Sequence, residues 1–170
     1  MRIRLAAKKK LTGSFKQRFW GVVTKIFTGK FIHTEIELPG RMYDDNCFSA
    51  SEWSDPAVRF KHITFSHPDH WDFLPLPDLT YDQVAVLRER LSSFVGKEYD
   101  RKGAICSGLL IQRHINPDKW FCSEICAHTI NMIFQLAGVR GELKLYITPT
   151  RLVKEVKRIM AEHRKTRCIF

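Results

Sequence analysis

The sequence predicts an α+β domain in which an antiparallel sheet packs against helices. Two patterns predict it: short alternating apolar and polar segments fill the first half of the chain, and longer segments with a helical apolar period fill the second. Size agrees with one compact unit, since 170 residues with 44% hydrophobic content can bury a core of their own.

Taken in order, residues 2–6 read as a short edge strand. Ser14 with Gln17 forms a capping box that opens a helix carrying Phe15, Phe19, Val22, Val23 and Ile26, ended near Gly29. Residues 30–38 then read as a strand that alternates strictly from Ile32 to Leu38, with His33, Glu35 and Glu37 on one face and Ile32, Thr34, Ile36 and Leu38 on the other. Pro39-Gly40 turns this strand into a partner over residues 42–52. Residues 58–65 predict a third strand and residues 71–76 a fourth, shortened by Pro75 and Pro77. Thr80 and Gln83 cap a helix whose buried positions are Val84, Leu87, Leu91, Phe94 and Val95, stopped at Gly96. Residues 103–113 suggest a further helix. The loop Asn116-Pro117-Asp118 leads to a strongly apolar helix through Ile125, Ile130, Ile133, Phe134 and Leu136, with its stop at Gly138. Residues 143–147 read as a last strand. Thr148 as cap and Pro149 in the first turn begin the final helix, whose inner face is Leu152, Val156, Ile159 and Met160.

Charge narrows the partners only in kind. Lys and Arg number 28 against 18 Asp and Glu, a net charge of +10 concentrated toward the two ends, which suits an anionic partner such as nucleic acid, a membrane surface or a cell-wall polymer. The five cysteines, Cys47, Cys106, Cys122, Cys126 and Cys168, lack paired CxxC spacing, so neither a zinc ribbon nor a disulfide framework is indicated and a reducing compartment is expected. No stretch approaches the ~18 unbroken apolar residues of a membrane span, and the charged start lacks the apolar stretch of a secretory signal. A cytoplasmic location is the expectation. Cys168 stands third from the end, not fourth, which removes a prenylation reading. The cluster His62, His67, Asp69, His70 and Asp72 contains ligand-type residues without repeating spacing, and no metal or organic cofactor is expected.

Chemistry concentrates at Phe121-Cys122-Ser123-Glu124. Cys122 falls at the first turn of the apolar helix, where unpaired backbone N–H groups and the helix dipole favour negative charge. A cysteine so placed, particularly beside an imidazolium, drops from about 8.5 into a range of about 3.5 to 7.5, making the thiolate available as a nucleophile. The plainer reading of Cys122 is a buried structural cysteine, and of His33 a solvated strand histidine.

Three features taken together change that balance: a strand histidine at 33 followed by Glu35, the turn Gly96-Lys97-Glu98-Tyr99-Asp100, and Phe121-Cys122-Ser123-Glu124 opening a helix. With the Val58-Arg59 strand and the Thr148-Pro149 helix start, their order resembles the permuted papain-like amidases, the YiiX-like branch of the NlpC-type cysteine peptidases, and small bacteriophage-encoded proteins of the same layout. The likeness spans most of the chain, from about residue 20 to residue 155. It implies a circularly permuted papain-like fold in which Cys122 is the nucleophile, His33 the general base and Tyr99 part of the oxyanion site. The substrate would be an amide or peptide, including cell-wall peptides, and a phage-encoded member would work in the host cytoplasm or virion. The family's acidic orienter of the histidine aligns best with Ser49, a departure from the pattern, and Glu52 or Glu35 are its substitutes. Two other functions stay open: a weakly active or inactive binding module that uses the basic surface, and a lipid acyl hydrolase or transferase on the same fold.

Overall fold

The computed structural model describes residues 1–10, 29–39, 44–52, 57–109, 111 and 116–167. The Ser14 helix, the Gly40 turn with Met42, and Cys168 lie outside the described residues. Five strands form one antiparallel sheet: β1 (Arg4–Lys8), β2 (His33–Glu37), β3 (Cys47–Ala50), β4 (Val58–Lys61) and β5 (Trp71–Pro75), in the order β4-β3-β2-β1-β5. The helices are α1 (Tyr81–Ser92), α2 (Arg101–Gly108), α3 (Cys122–Ala137) and α4 (Pro149–Arg167). The predicted α+β class with an antiparallel sheet is what this architecture has.

Register explains which face meets the helices. Leu5 stands opposite both Ile36 and Leu74, and Ile36 stands opposite Phe48. These four side chains are buried in one cluster with Ile125, Ile130, Ile133 and Phe134 of α3 and Leu152, Val156 and Ile159 of α4. Each such side chain contributes about 1.5–3 kcal/mol by leaving water, so this shared cluster is a main source of the domain's stability.

β1 is an interior strand, not the expected edge. Leu5, Ala6 and Ala7 are all fully buried, and β2 and β5 pair on either side of it. Lys8 closes the strand opposite His33 and Trp71, and Lys9 just beyond it pairs with Asp72 at 2.7 Å. β4 stops at Lys61, short of the predicted residue 65. The chain reverses at Phe65, whose φ of +49° is rare for a bulky side chain. Edge-to-face contacts with Trp71 and Phe73, both at 5.1 Å between ring centroids, hold it there.

The Thr80 capping box forms as predicted: Gln83 N–H donates to Thr80 Oγ1 and Thr80 N–H to Gln83 Oε1. Val95 is exposed, however, because α1 ends before it and Gly96 turns the chain with φ +87°. Residues 143–147 are not a strand. Their backbone is taken by side chains of α3: Asn131 exchanges two hydrogen bonds with Leu143, and Ser123 Oγ donates to Ile147 O at 2.6 Å. With these groups already paired by a helix, the segment has no need of a strand partner. Thr148 Oγ1 then accepts from Arg151 N–H at the start of α4, as its sequence predicts.

A small element that the sequence did not announce positions the site. β6 (Glu98–Tyr99) and β7 (Lys119–Trp120) pair in parallel, with Tyr99 opposite Trp120. Trp120 is fixed by an edge-to-face contact with Phe94 at 5.3 Å and by the His128 ring at 5.4 Å. The pairing sets Tyr99 two residues away in register from Cys122.

Candidate active site

Cys122 is the first residue of α3, after Phe121 in extended conformation. The sulfur is almost fully enclosed, its residue 5% exposed. His33, the first residue of β2, stands beside it, as do backbone groups of Thr34 and Ser123. Burial alone would raise the Cys122 thiol, but the His33 charge and these donors outweigh it and hold the thiol below its ordinary value. In turn, burial works against a charged His33, yet the charge and hydrogen bond of Cys122, with Glu35 behind, push the imidazole up to about 9. The two directions agree on a thiolate–imidazolium pair.

His33 Nε2 lies 2.8 Å from Glu35 Oε1. A carboxylate only accepts, so Nε2 carries a proton and Nδ1 is the ring nitrogen left for the sulfur. The spacing of two on a strand places both side chains on one face, which the sequence shows directly. Arg59 Nη2 donates to the same Oε1 at 3.0 Å. Glu35 is fully buried, and burial would raise its carboxyl; His33 first and Arg59 next hold it below the usual carboxylate range. Oε2 of Glu35 and Nε and Nη1 of Arg59 are buried without a hydrogen-bond partner.

Tyr99 also stands beside Cys122. Burial, the Cys122 charge and the Glu52 charge push its phenol well above the ordinary range, so it stays an O–H donor. Asp100, next in sequence, caps α2 by accepting from Gly103 N–H at 2.8 Å. A Cβ on Gly103 would stand 2.3 Å from Asp100 Oδ2 and 3.3 Å from Phe121, so only glycine allows this turn to sit against the residue preceding Cys122.

The residues expected to orient His33 separate clearly. Glu35 touches it. Ser49 does not fill that place: it is fully buried and donates to Thr34 O at 2.7 Å, while the Cys126 thiol packs on it at 3.7 Å. Its hydroxyl is committed to the β2 backbone. Glu52 pairs with Arg101 Nε at 3.0 Å and acts on the site only through its charge at Tyr99. Arg59 was read from sequence only as part of a strand. Its signal is an arginine on a strand that a buried carboxylate needs, and that need becomes visible only once β2, β3 and β4 are aligned.

Cys126 and Cys47 are also buried, and burial raises both thiols far above their ordinary value, so they are poor nucleophiles. A thiol lowered by an imidazolium, facing backbone N–H donors and a protonated phenol, has the parts needed to attack an acyl carbon and hold the resulting oxyanion. Among the described residues no helix is long and apolar enough to cross a membrane. Comparison of the chain with protein-family models, curated proteins and solved structures found no match.

Proposed function

We propose that this protein is a thiol hydrolase that cleaves an amide bond through an acyl-enzyme, with a permuted papain-like arrangement of its chain. The observation that carries the reading is the Cys122–His33–Glu35 relay, in which a thiol held below its ordinary value stands against a histidine held by a buried carboxylate. The Cys122 thiolate attacks the substrate carbonyl carbon, and the oxygen takes up negative charge beside the Tyr99 hydroxyl and the backbone N–H of Ser123. As the C–N bond breaks, the His33 imidazolium gives its proton to the leaving amine, and a thioester remains on Cys122. His33, now neutral, takes a proton from water; the hydroxyl oxygen displaces the sulfur, releasing a carboxylic acid and restoring the ion pair. Glu35 keeps the ring oriented and its charge favoured throughout. The order of histidine strand before cysteine helix supports the permuted arrangement.

A second reading, acyl hydrolysis or transfer on a lipid, is favoured by one observation. Ile105, Leu109 and Ile111 are about half exposed on and just after α2, the helix that begins two residues after Tyr99. An apolar border there suits an acyl chain.

Incubation with p-nitrophenyl acetate, followed over time by intact mass spectrometry, tests the shared step. An acetyl adduct that forms on Cys122, decays in water and is absent in Cys122→Ser supports it. Equal labelling of Cys122→Ser removes it. Comparing a peptide amide with esters of increasing acyl length then separates the two substrates, since an amidase hydrolyses the peptide while a lipid enzyme gains rate with chain length.

A further inference from the structure

Away from this site, the sharp turn between β4 and β5 gathers three metal-ligating side chains that sequence spacing had set aside. His67, Asp69 and His70 each offer a ligand atom, and the three atoms lie within 4.8 Å of one another. The other two members of the sequence cluster go elsewhere. His62 Nδ1 bonds to Asp44 O at 2.9 Å, and Asp72 is held by Lys9 and Lys30. What spacing could not show is the single 3-10 turn, Pro68–His70, which brings residues 67, 69 and 70 to one side.

The turn is fixed before any ligand arrives. His70 N–H donates to His67 O at 3.0 Å, and Lys9 N–H donates to His70 O at 2.9 Å, tying the turn to β1. Phe65, in its left-handed conformation between Trp71 and Phe73, anchors the approach. The two imidazoles already lie side by side, with centroids 5.0 Å apart and planes 24° from parallel. Asp69 is bonded to Lys10 and stands 3.7 Å from His70 Nε2.

The geometry points to a divalent transition-metal site of the Zn²⁺ class on this turn, with His67, Asp69 and His70 as ligands and water completing the sphere. Two imidazole nitrogens and one carboxylate oxygen suit a borderline ion; Ca²⁺ and Mg²⁺ prefer all-oxygen sites. Metal–ligand bonds of about 2.0–2.2 Å require donor atoms roughly 3.3 Å apart in a tetrahedral set. His67 and Asp69 are exposed, so their side chains have room to turn toward a shared ion. The ion replaces the Lys10 ammonium as the partner of Asp69. This site is independent of the chemistry proposed for Cys122.

Titration calorimetry of the full chain with ZnCl₂ tests it, in a Cys122→Ser background so that the reactive thiol does not compete. The background protein should bind one ion saturably. His67→Ala, Asp69→Asn and His70→Ala should each weaken that binding by about tenfold or more. Circular dichroism should show the same fold in all four proteins, as substitutions on this surface turn remove no core contact. Absence of saturable binding in the background protein, or unchanged affinity in any of the three variants, overturns the site.

Discussion

One carboxylate oxygen, Oε1 of Glu35, serves both His33 and Arg59, and this sharing sets the charge balance of the site. Replacing Glu35 by Gln removes the negative charge that supports the imidazolium and leaves Arg59 buried without a counter-charge. The Cys122 thiol should then move toward its ordinary value. Alkylation by iodoacetamide below that value should slow about tenfold for each unit moved, and stability should fall by about 3–5 kcal/mol in urea denaturation. Ser49 gives the contrasting case. Its hydroxyl satisfies the Thr34 carbonyl, so Ser49→Ala should cost about 1 kcal/mol of stability while leaving the pH midpoint of Cys122 alkylation where it was. A shifted midpoint would return Ser49 to the histidine. From sequence, the strand spacing of His33 and Glu35 was legible, yet the resemblance favoured Ser49. What decided between them is hydrogen bonding across β2 and β3, which no spacing records.

The helix α3 begins with a second titratable group whose state follows from burial. Glu124 sits in the first turn, almost wholly buried, and accepts from Phe121 N–H at 3.4 Å. Burial, with help from the Asp100 charge, pushes its carboxyl from 4.5 up to about 8. The folded state therefore holds a proton that the unfolded chain releases between those values, so stability falls as pH rises across that window. Glu124→Gln keeps the shape without the ionisation. Its melting temperature should exceed that of the parent at pH 8 and match it near pH 5; equal differences at both would show that Glu124 is charged in the fold. The α2 cap offers a steric counterpart. Gly103→Ala drives a methyl into Asp100 and Phe121, and a loss of roughly 1–3 kcal/mol in chemical denaturation is expected from overpacking. Helix starts of this kind were legible at Thr80, Cys122 and Thr148, where short local signals suffice. The β6–β7 pair was not, because two-residue strands carry no alternation, and residues 143–147 misled because side chains of α3, not a strand, pair their backbone.

Over the whole molecule, the sheet order brings residues far apart in the chain to one point. β2 lies centrally in the sheet and packs on α3, so the start of the strand and the start of the helix meet, 89 positions apart in sequence by the numbers of His33 and Cys122. Class and helix pattern were readable from periodicity, since the core faces of α1, α3 and α4 follow the apolar spacing. The interior place of β1 comes from pairing with β2 and β5, which its own residues do not record, and the convergence of strand and helix came from resemblance, not from periodicity. The central claim is that this topology makes Cys122 a thiolate by means of His33. The most direct measurement is the pH dependence of Cys122 alkylation by iodoacetamide, with His33→Ala beside the parent. The parent should react below the ordinary thiol range, and its profile should change again near pH 9 as His33 loses its proton. His33→Ala should shift the midpoint upward and abolish the second transition; identical profiles for the two proteins, with an ordinary thiol midpoint, would contradict the account.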